Sequence, residues 1–129
     1  MSAHRIATAN LGFPRIGLHR ELKFALERFW AGEWTRVQLD AAARDLRRAR
    51  WQMQMDAGIG RIPSNDFSLY DHVLDAAVMV GAVPARYADP AIPDPPGAYF
   101  AIARGSQEAP AIEMTKCFDT NYHYIVPEF

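Results

Sequence analysis

The stretch LGFPRIGLHRELKFAL, Leu11 to Leu26, runs from an apolar Gly/Pro segment straight into a charged helix start. Residues 5–13 (RIATANLGF), which overlap its beginning, read as a short strand, and Pro14 to Gly17 as a turn. From Leu18 to Ala31 the pattern is helical. Leu22, Leu26, Phe29 and Trp30 recur at i, i+4, i+7 and i+8, one face of a helix, and Gly32 stops it. The first amides of a helix lack internal partners, and the dipole is positive there. Arg15, Arg20 and Lys23 sit in or beside that turn, and Arg20 and Lys23, three apart, share a helix face. Two readings stay open on spacing alone. One is a plain helix start, with Glu21 complementing the dipole. The other is a site for an anion such as a carboxylate or phosphate.

Beyond this stretch, Thr35 and Gln38 match a capping box that opens a second, long helix. Leu39, Ala42, Ala43, Leu46, Ala49 and Met53 give it an apolar stripe, and Gly58 follows its end. Arg44, Arg47, Arg48 and Arg50 read as a solvated face paired locally with Asp40 and Asp45. A short strand is expected around Gly60 to Pro63. A third helix carries Val73, Leu74, Ala77 and Val78, capped by Asp71 or Ser68 and stopped by Gly81 and Pro84. Pro84 to Gly97 holds five prolines and reads as a loop. A short helix is expected at 98–103, and a last strand at Asn121 to Val126.

Strands alternating with helices predict an α/β fold with two or three parallel strands. A closed (β/α)8 barrel takes about 250 residues, and this chain has 129. Half the residues are hydrophobic, 22% are charged, and the formal net charge is −1, an ordinary globular balance. Such a charge supplies no global field for nucleic acid or an anionic membrane, so an anion site has to be local. Cys117 is the single cysteine, which excludes an intrachain disulfide and a multi-cysteine zinc site. There is no apolar run of about 18 residues and no secretory h-region, so a cytoplasmic protein without a membrane span is expected.

Two further clusters carry polar chemistry. In EMTKCFDTNYHYIVPEF, Lys116, Asp119, Asn121, His123 and Glu128 surround an aromatic strand. Alternation puts Asn121 and His123 on one face and Tyr122 and Tyr124 on the other. A partly buried structural strand is the competing reading. In NDFSLYDH, Asp66, Asp71 and His72 have poor spacing for a metal, and a helix start is the better reading. Ser68 has no nucleophile-elbow context. No Gly-rich phosphate loop, zinc pattern or nucleic-acid module is present.

Taken in order, LGFPRIGLHRELKFAL, WAGEWTR, FSLYDHVLD, GAVPARY and EMTKCFDTNYHYIVPEF resemble the amino-terminal region of cobalamin-independent methionine synthases across essentially the whole chain. The resemblance implies that residues 1–129 are the first part of an amino-terminal (β/α)8 barrel, incomplete here. It implies a methyltransferase passing the methyl group of 5-methyltetrahydropteroyltri-L-glutamate to L-homocysteine, giving methionine, without cobalamin. Zinc, which would stabilise the homocysteine thiolate, is implied to lie in a carboxy-terminal barrel that this chain lacks, together with the groups that activate the acceptor. Matched residue by residue, Arg20, Glu21, Leu22 and Lys23 (RELK) and Lys116 (of EMTK) are implied to bind the polyglutamyl folate, with Glu21 and Leu22 acting through position or backbone. No catalytic residue and no metal ligand is expected here. Cys117 stands where the family commonly has Trp, and His19 where Arg is common. The expected partners are polyglutamyl folate and the carboxy-terminal barrel, with no nucleic acid or membrane. The chain alone is expected to be inactive. The alternative is a stand-alone, non-catalytic folate-binding or regulatory module.

Overall fold

A computed structural model describes residues 6–87 and 95–128, and the chain divides into two compact units, Met1–Leu69 and Tyr70–Phe129. The first unit is built on two helices, α1 (Glu21–Trp30) and α2 (Arg36–Asp56), packed on each other. Their apolar stripes explain the packing. Leu22, Ala25 and Leu26 of α1 are buried, as are Leu39 and Ala43 of α2. The connection between them is set at both ends by local hydrogen bonds. Gly32 adopts φ 76°, and the amides of Gly32 and Glu33 donate to the carbonyls of Phe29 and Arg28 at 3.0 and 2.9 Å. This is a Schellman motif, and its left-handed residue favours glycine. At the other end the capping box forms as expected. The Thr35 hydroxyl accepts from the Gln38 amide, and the Gln38 side chain accepts from the Thr35 amide at 2.8 Å.

Three expectations for this unit are corrected. Helix α1 begins at Glu21 rather than Leu18, because Arg20 is held at φ 62° and ψ 33°, outside the helical region. The strands expected at 5–13 and 60–63 reduce, among the described residues, to one parallel bridge, Ala9 with Arg61; Arg5 lies outside the described residues. The Thr8 carbonyl accepts from both the Gly60 and Arg61 amides, and the Thr8 hydroxyl donates to the Gly58 carbonyl and accepts from the Gly60 amide. These local bonds use the groups that a longer ladder needs, and Pro63 has no donor to offer. Finally, Arg50 is not on a solvated face. It is 5% exposed, with its guanidinium 5.4 and 5.5 Å from the Phe13 and Phe67 rings and 3.6 Å from the Asp66 carboxylate. Asp40 pairs instead with Arg36.

The second unit holds α3 (His72–Met79), a 3-10 turn (Ala85–Tyr87), α4 (Pro95–Arg104) and the strands β1 (Met114–Lys116) and β2 (His123–Ile125). Its core gathers Leu74, Tyr87, Ile102, Ala103, Ala109, Ile112 and Ile125. Asp71 is the α3 cap: its carboxylate accepts from the Val73 and Leu74 amides at 2.8 and 3.0 Å. Tyr99 of α4 fixes the same corner. Its hydroxyl donates to Asp75 at 2.6 Å and accepts from the Tyr70 amide at 3.1 Å. Burial, then the bond to Asp75, pushes the Tyr99 hydroxyl well above its ordinary titration range. Helix α4 starts earlier than expected because Pro95 and Pro96 lie in its first turn, where a missing amide costs nothing. Pro90 and Pro93 of the expected loop lie outside the described residues.

The parallel sheet expected from the βα alternation is not what forms. Strand β1, where the sequence pattern assigns no element, pairs antiparallel with β2 in the register Met114–Ile125, Thr115–Tyr124 and Lys116–His123. Only Cys117 to Tyr122 join them, far too few residues for a parallel crossover. Asn121 therefore lies in the turn rather than on the strand face with His123. No described helix is long and apolar enough to cross a membrane.

Replacing Asp71 with Ala removes two bonds to the first turn of α3. The expected cost is about 1 kcal/mol of stability, seen as a lower urea midpoint at unchanged slope. Asp71→Asn, which caps as well, should retain most of the stability.

Candidate functional site

The turn before α1 is held from within. Gly17 has φ 88°, the Leu22 amide donates to the Ile16 carbonyl at 3.1 Å, and the Phe24 amide donates to the Arg20 carbonyl at 3.2 Å. The Glu21 carboxylate turns back and accepts from the His19 amide at 3.0 Å. A Cβ on residue 17 would fall 1.9 Å from Glu21 Oε2, so the fold of that carboxylate needs a glycine there. Bonds from its own amide and from that of His19 hold the Glu21 carboxyl below its ordinary titration range.

This geometry divides the RELK residues by role. Arg20 is exposed and sits in the left-handed conformation just ahead of the helix, so it does not share a helical face with Lys23. Lys23 is exposed, 3.4 Å from Glu27 and 5.7 Å from the centre of the Phe24 ring. An exposed i, i+4 pair of this kind is weak and readily exchanged. Leu22 is 1% exposed, so its side chain belongs to the core. Glu21 serves the turn through His19. A non-glycine residue in the left-handed region costs roughly 1–3 kcal/mol and tends to occur at ligand clamps.

Arg15, the other cation near the stretch, donates from Nη1 to the Ser68 carbonyl at 2.8 Å. The same unit contains a polar interior that no local sequence pattern announces. Asp66 accepts from the Phe13 amide at 2.9 Å and faces Arg50, while Asn10 donates to Gln54 at 2.7 Å. Desolvation, outweighing the Asp66 charge, lowers the Arg50 pKa. This cluster ties the LGFP segment to the DFS segment. A groove of about 530 Å³ between α1 and α2 is floored by Phe24, Ala25, Leu46 and Ala49, with Arg28 stacked 5.2 Å over Trp34. It is apolar and contains neither Arg20 nor Lys23.

In the second unit Lys116 ends β1 and is exposed, and His123 stands opposite it across the ladder. The residues considered for a metal are separately employed. Asp66 holds Phe13, Asp71 caps α3, and His72 is exposed. No group of three His, Cys, Asp or Glu that could hold a metal occurs among the described residues.

Residues 7–129 match the family model of the cobalamin-independent synthase N-terminal domain. The chain belongs to this family. It is 55% identical to the 5-methyltetrahydropteroyltriglutamate–homocysteine methyltransferase of Nitrosomonas europaea over 97% of its length. It is 58% identical to the enzyme of that name from Xylella fastidiosa strain M23 over 92%, and 53% identical to that from Salinibacter ruber over 96%. It spans only 16 to 17% of the length of these relatives. The chain has Arg20, Lys23 and Lys116 at its surface, while Glu21 and Leu22 are engaged with the protein itself.

Arg20→Gly should raise the stability of the fold by about 0.5–1 kcal/mol, because the backbone strain is relieved while unfolded-chain entropy takes back part of the gain. Urea titration measures it. A loss of stability would mean that the arginine side chain, not the backbone, holds this turn.

Proposed function

We propose that this chain is the folate-tail-binding portion of a methyltransferase that transfers a methyl group from 5-methyltetrahydropteroyltri-L-glutamate to L-homocysteine in methionine biosynthesis. In this reading residues 1–129 are the first part of an amino-terminal (β/α)8 barrel, and the remainder of the enzyme carries zinc and the homocysteine site. The observation that supports it is a coincidence of charge and name. Relatives at 53 to 58% identity are named for a triglutamate substrate, and three matched residues of this chain, Arg20, Lys23 and Lys116, are exposed cations.

The physics of the tail favours such residues. Each added glutamate brings another carboxylate, while the pterin stays the same. Exposed cations contribute modestly one by one, typically below about 1 kcal/mol, and the attraction of each grows with the number of carboxylates on the tail. Glu21 keeps its carboxylate folded back onto the His19 amide, which fixes the position of that charge in the turn. The part of this chain in the reaction is therefore orientation. Holding the tail fixes the distant methyl group for its acceptor, and positioning alone accounts for a large share of many rate enhancements. Bond making belongs to groups outside these residues.

In the full-length enzyme carrying this domain, Lys116→Ala should weaken binding of the triglutamyl cofactor about three- to tenfold and that of the monoglutamate less than twofold. Isothermal calorimetry with both forms measures this, and equal losses would remove Lys116 from tail binding. The isolated 129-residue chain should show no homocysteine-dependent demethylation of methyltetrahydrofolate. Measurable turnover would place catalytic groups in this chain after all.

A further inference from the structure

The hairpin of the second unit places a second group beside Lys116. The Cys117 amide donates to the Tyr122 carbonyl at 2.8 Å, and the Val126 amide donates to the Glu113 carbonyl at 2.8 Å. Hydrogen-bonded and non-hydrogen-bonded pairs alternate along an antiparallel ladder. Lys116 and His123 therefore form a non-hydrogen-bonded pair, the kind in which Cα atoms approach to roughly 4.5 Å and side chains stand closest. They share a face with Ile125, which is fully buried, yet both are exposed, because they lie past the edge of the core. Among the described residues no carboxylate forms an ion pair with Lys116. Two basic residues directly opposite each other disfavour the hairpin once both are charged, and an anion accepting from both would offset that repulsion.

The ring of His123 is already committed at one nitrogen. Nδ1 lies 3.1 Å from the Asn121 carbonyl oxygen, which can only accept, so Nδ1 carries a proton. In the neutral ring Nε2 then holds a lone pair and repels a carboxylate. In the imidazolium both nitrogens donate. Charged and titratable groups on the elements packed against β2 are Lys116 and the preceding Glu113 on the β1 side, and His72 and Asp75 on α3, with Asp75 accepting from Tyr99; Asp119 lies in the connecting turn.

We propose that Lys116 and His123 form a two-cation clasp across the hairpin for carboxylates of the polyglutamyl tail, with His123 taking up a proton from solvent as the tail binds. This rests on the tail-binding reading above and adds to it a second contact and a proton linkage. His123 is a binding residue in this scheme, with no role in methyl transfer.

The test uses the full-length enzyme carrying this domain, with triglutamyl and monoglutamyl 5-methyltetrahydrofolate as probes. Calorimetry at pH 7 in two buffers of different ionisation enthalpy gives both the affinity and the protons taken up. His123→Asn is expected to lower triglutamate affinity about three- to tenfold, to leave monoglutamate affinity within twofold, and to abolish the His123 share of proton uptake. His123→Lys should restore the affinity without that uptake, a rescue that a structural role would not produce, and matching melting temperatures establish that both variants fold. Unchanged triglutamate affinity or unchanged proton uptake in His123→Asn would overturn the clasp. If Lys116→Ala loses triglutamate affinity selectively while His123→Asn does not, the clasp alone falls. If neither variant loses it selectively, the tail-binding reading falls with it.

Discussion

The Glu21 carboxylate folded back onto the His19 amide is the constraint on which the candidate site depends. It closes the turn that begins at Gly17, and within that turn Arg20 is held left-handed and projecting, one residue before the helix. The same bond fixes where the negative charge of this turn sits: the exposed carboxylate is drawn back onto its own amide and that of His19, which lower its pKa. Leu22 then anchors the assembly by burying its side chain against the long second helix.

In the second unit the equivalent organiser is a phenol. Tyr99 reaches from α4 to Asp75 and to the Tyr70 amide, so one hydroxyl satisfies groups on both sides of the start of α3. Asp71 occupies the cap itself. The corner is held by these bonds beside Leu74, which is buried in the core. From there Ile125 fixes β2, and β2 in turn fixes the register that sets His123 opposite Lys116.

Local chemistry was legible wherever a short-range rule governs. The Thr35 and Gln38 capping box, the Asp71 cap, the glycine after each of the first three helices and the apolar stripe of α1 all depend on residues within a turn of one another. What escaped depends on partners remote in sequence. Arg50 reads as one arginine among four on an exposed face, and only Phe13 and Asp66, brought in by the chain on either side of the helix, make it an interior residue. Strand β1 is three residues long and takes its identity from β2. The parallel order inferred from alternating elements failed because the two strands that pair are near neighbours in the chain. For the candidate site, residue types alone indicated cations near a helix start and left the anion undecided. The family resemblance supplied Lys116 and the tail, and neither the left-handed backbone of Arg20 nor the cross-strand position of His123 could be read from composition.

The single bridge between Ala9 and Arg61 has a consequence in time. During synthesis the amino-terminal part of a protein leaves the ribosome first, at about 5–20 residues per second. Ala9 and Arg61 can therefore meet seconds before Phe129 is made, and long before a chain of the relatives' length is finished. In that interval the two segments are joined by the bridge before the rest of the chain has been made. A nascent chain in this condition is a template for the next strand and equally for a neighbouring polypeptide. The looping of Thr8 onto Gly60 and Arg61 ties up some of their backbone groups early, and so acts as a temporary guard on the growing chain.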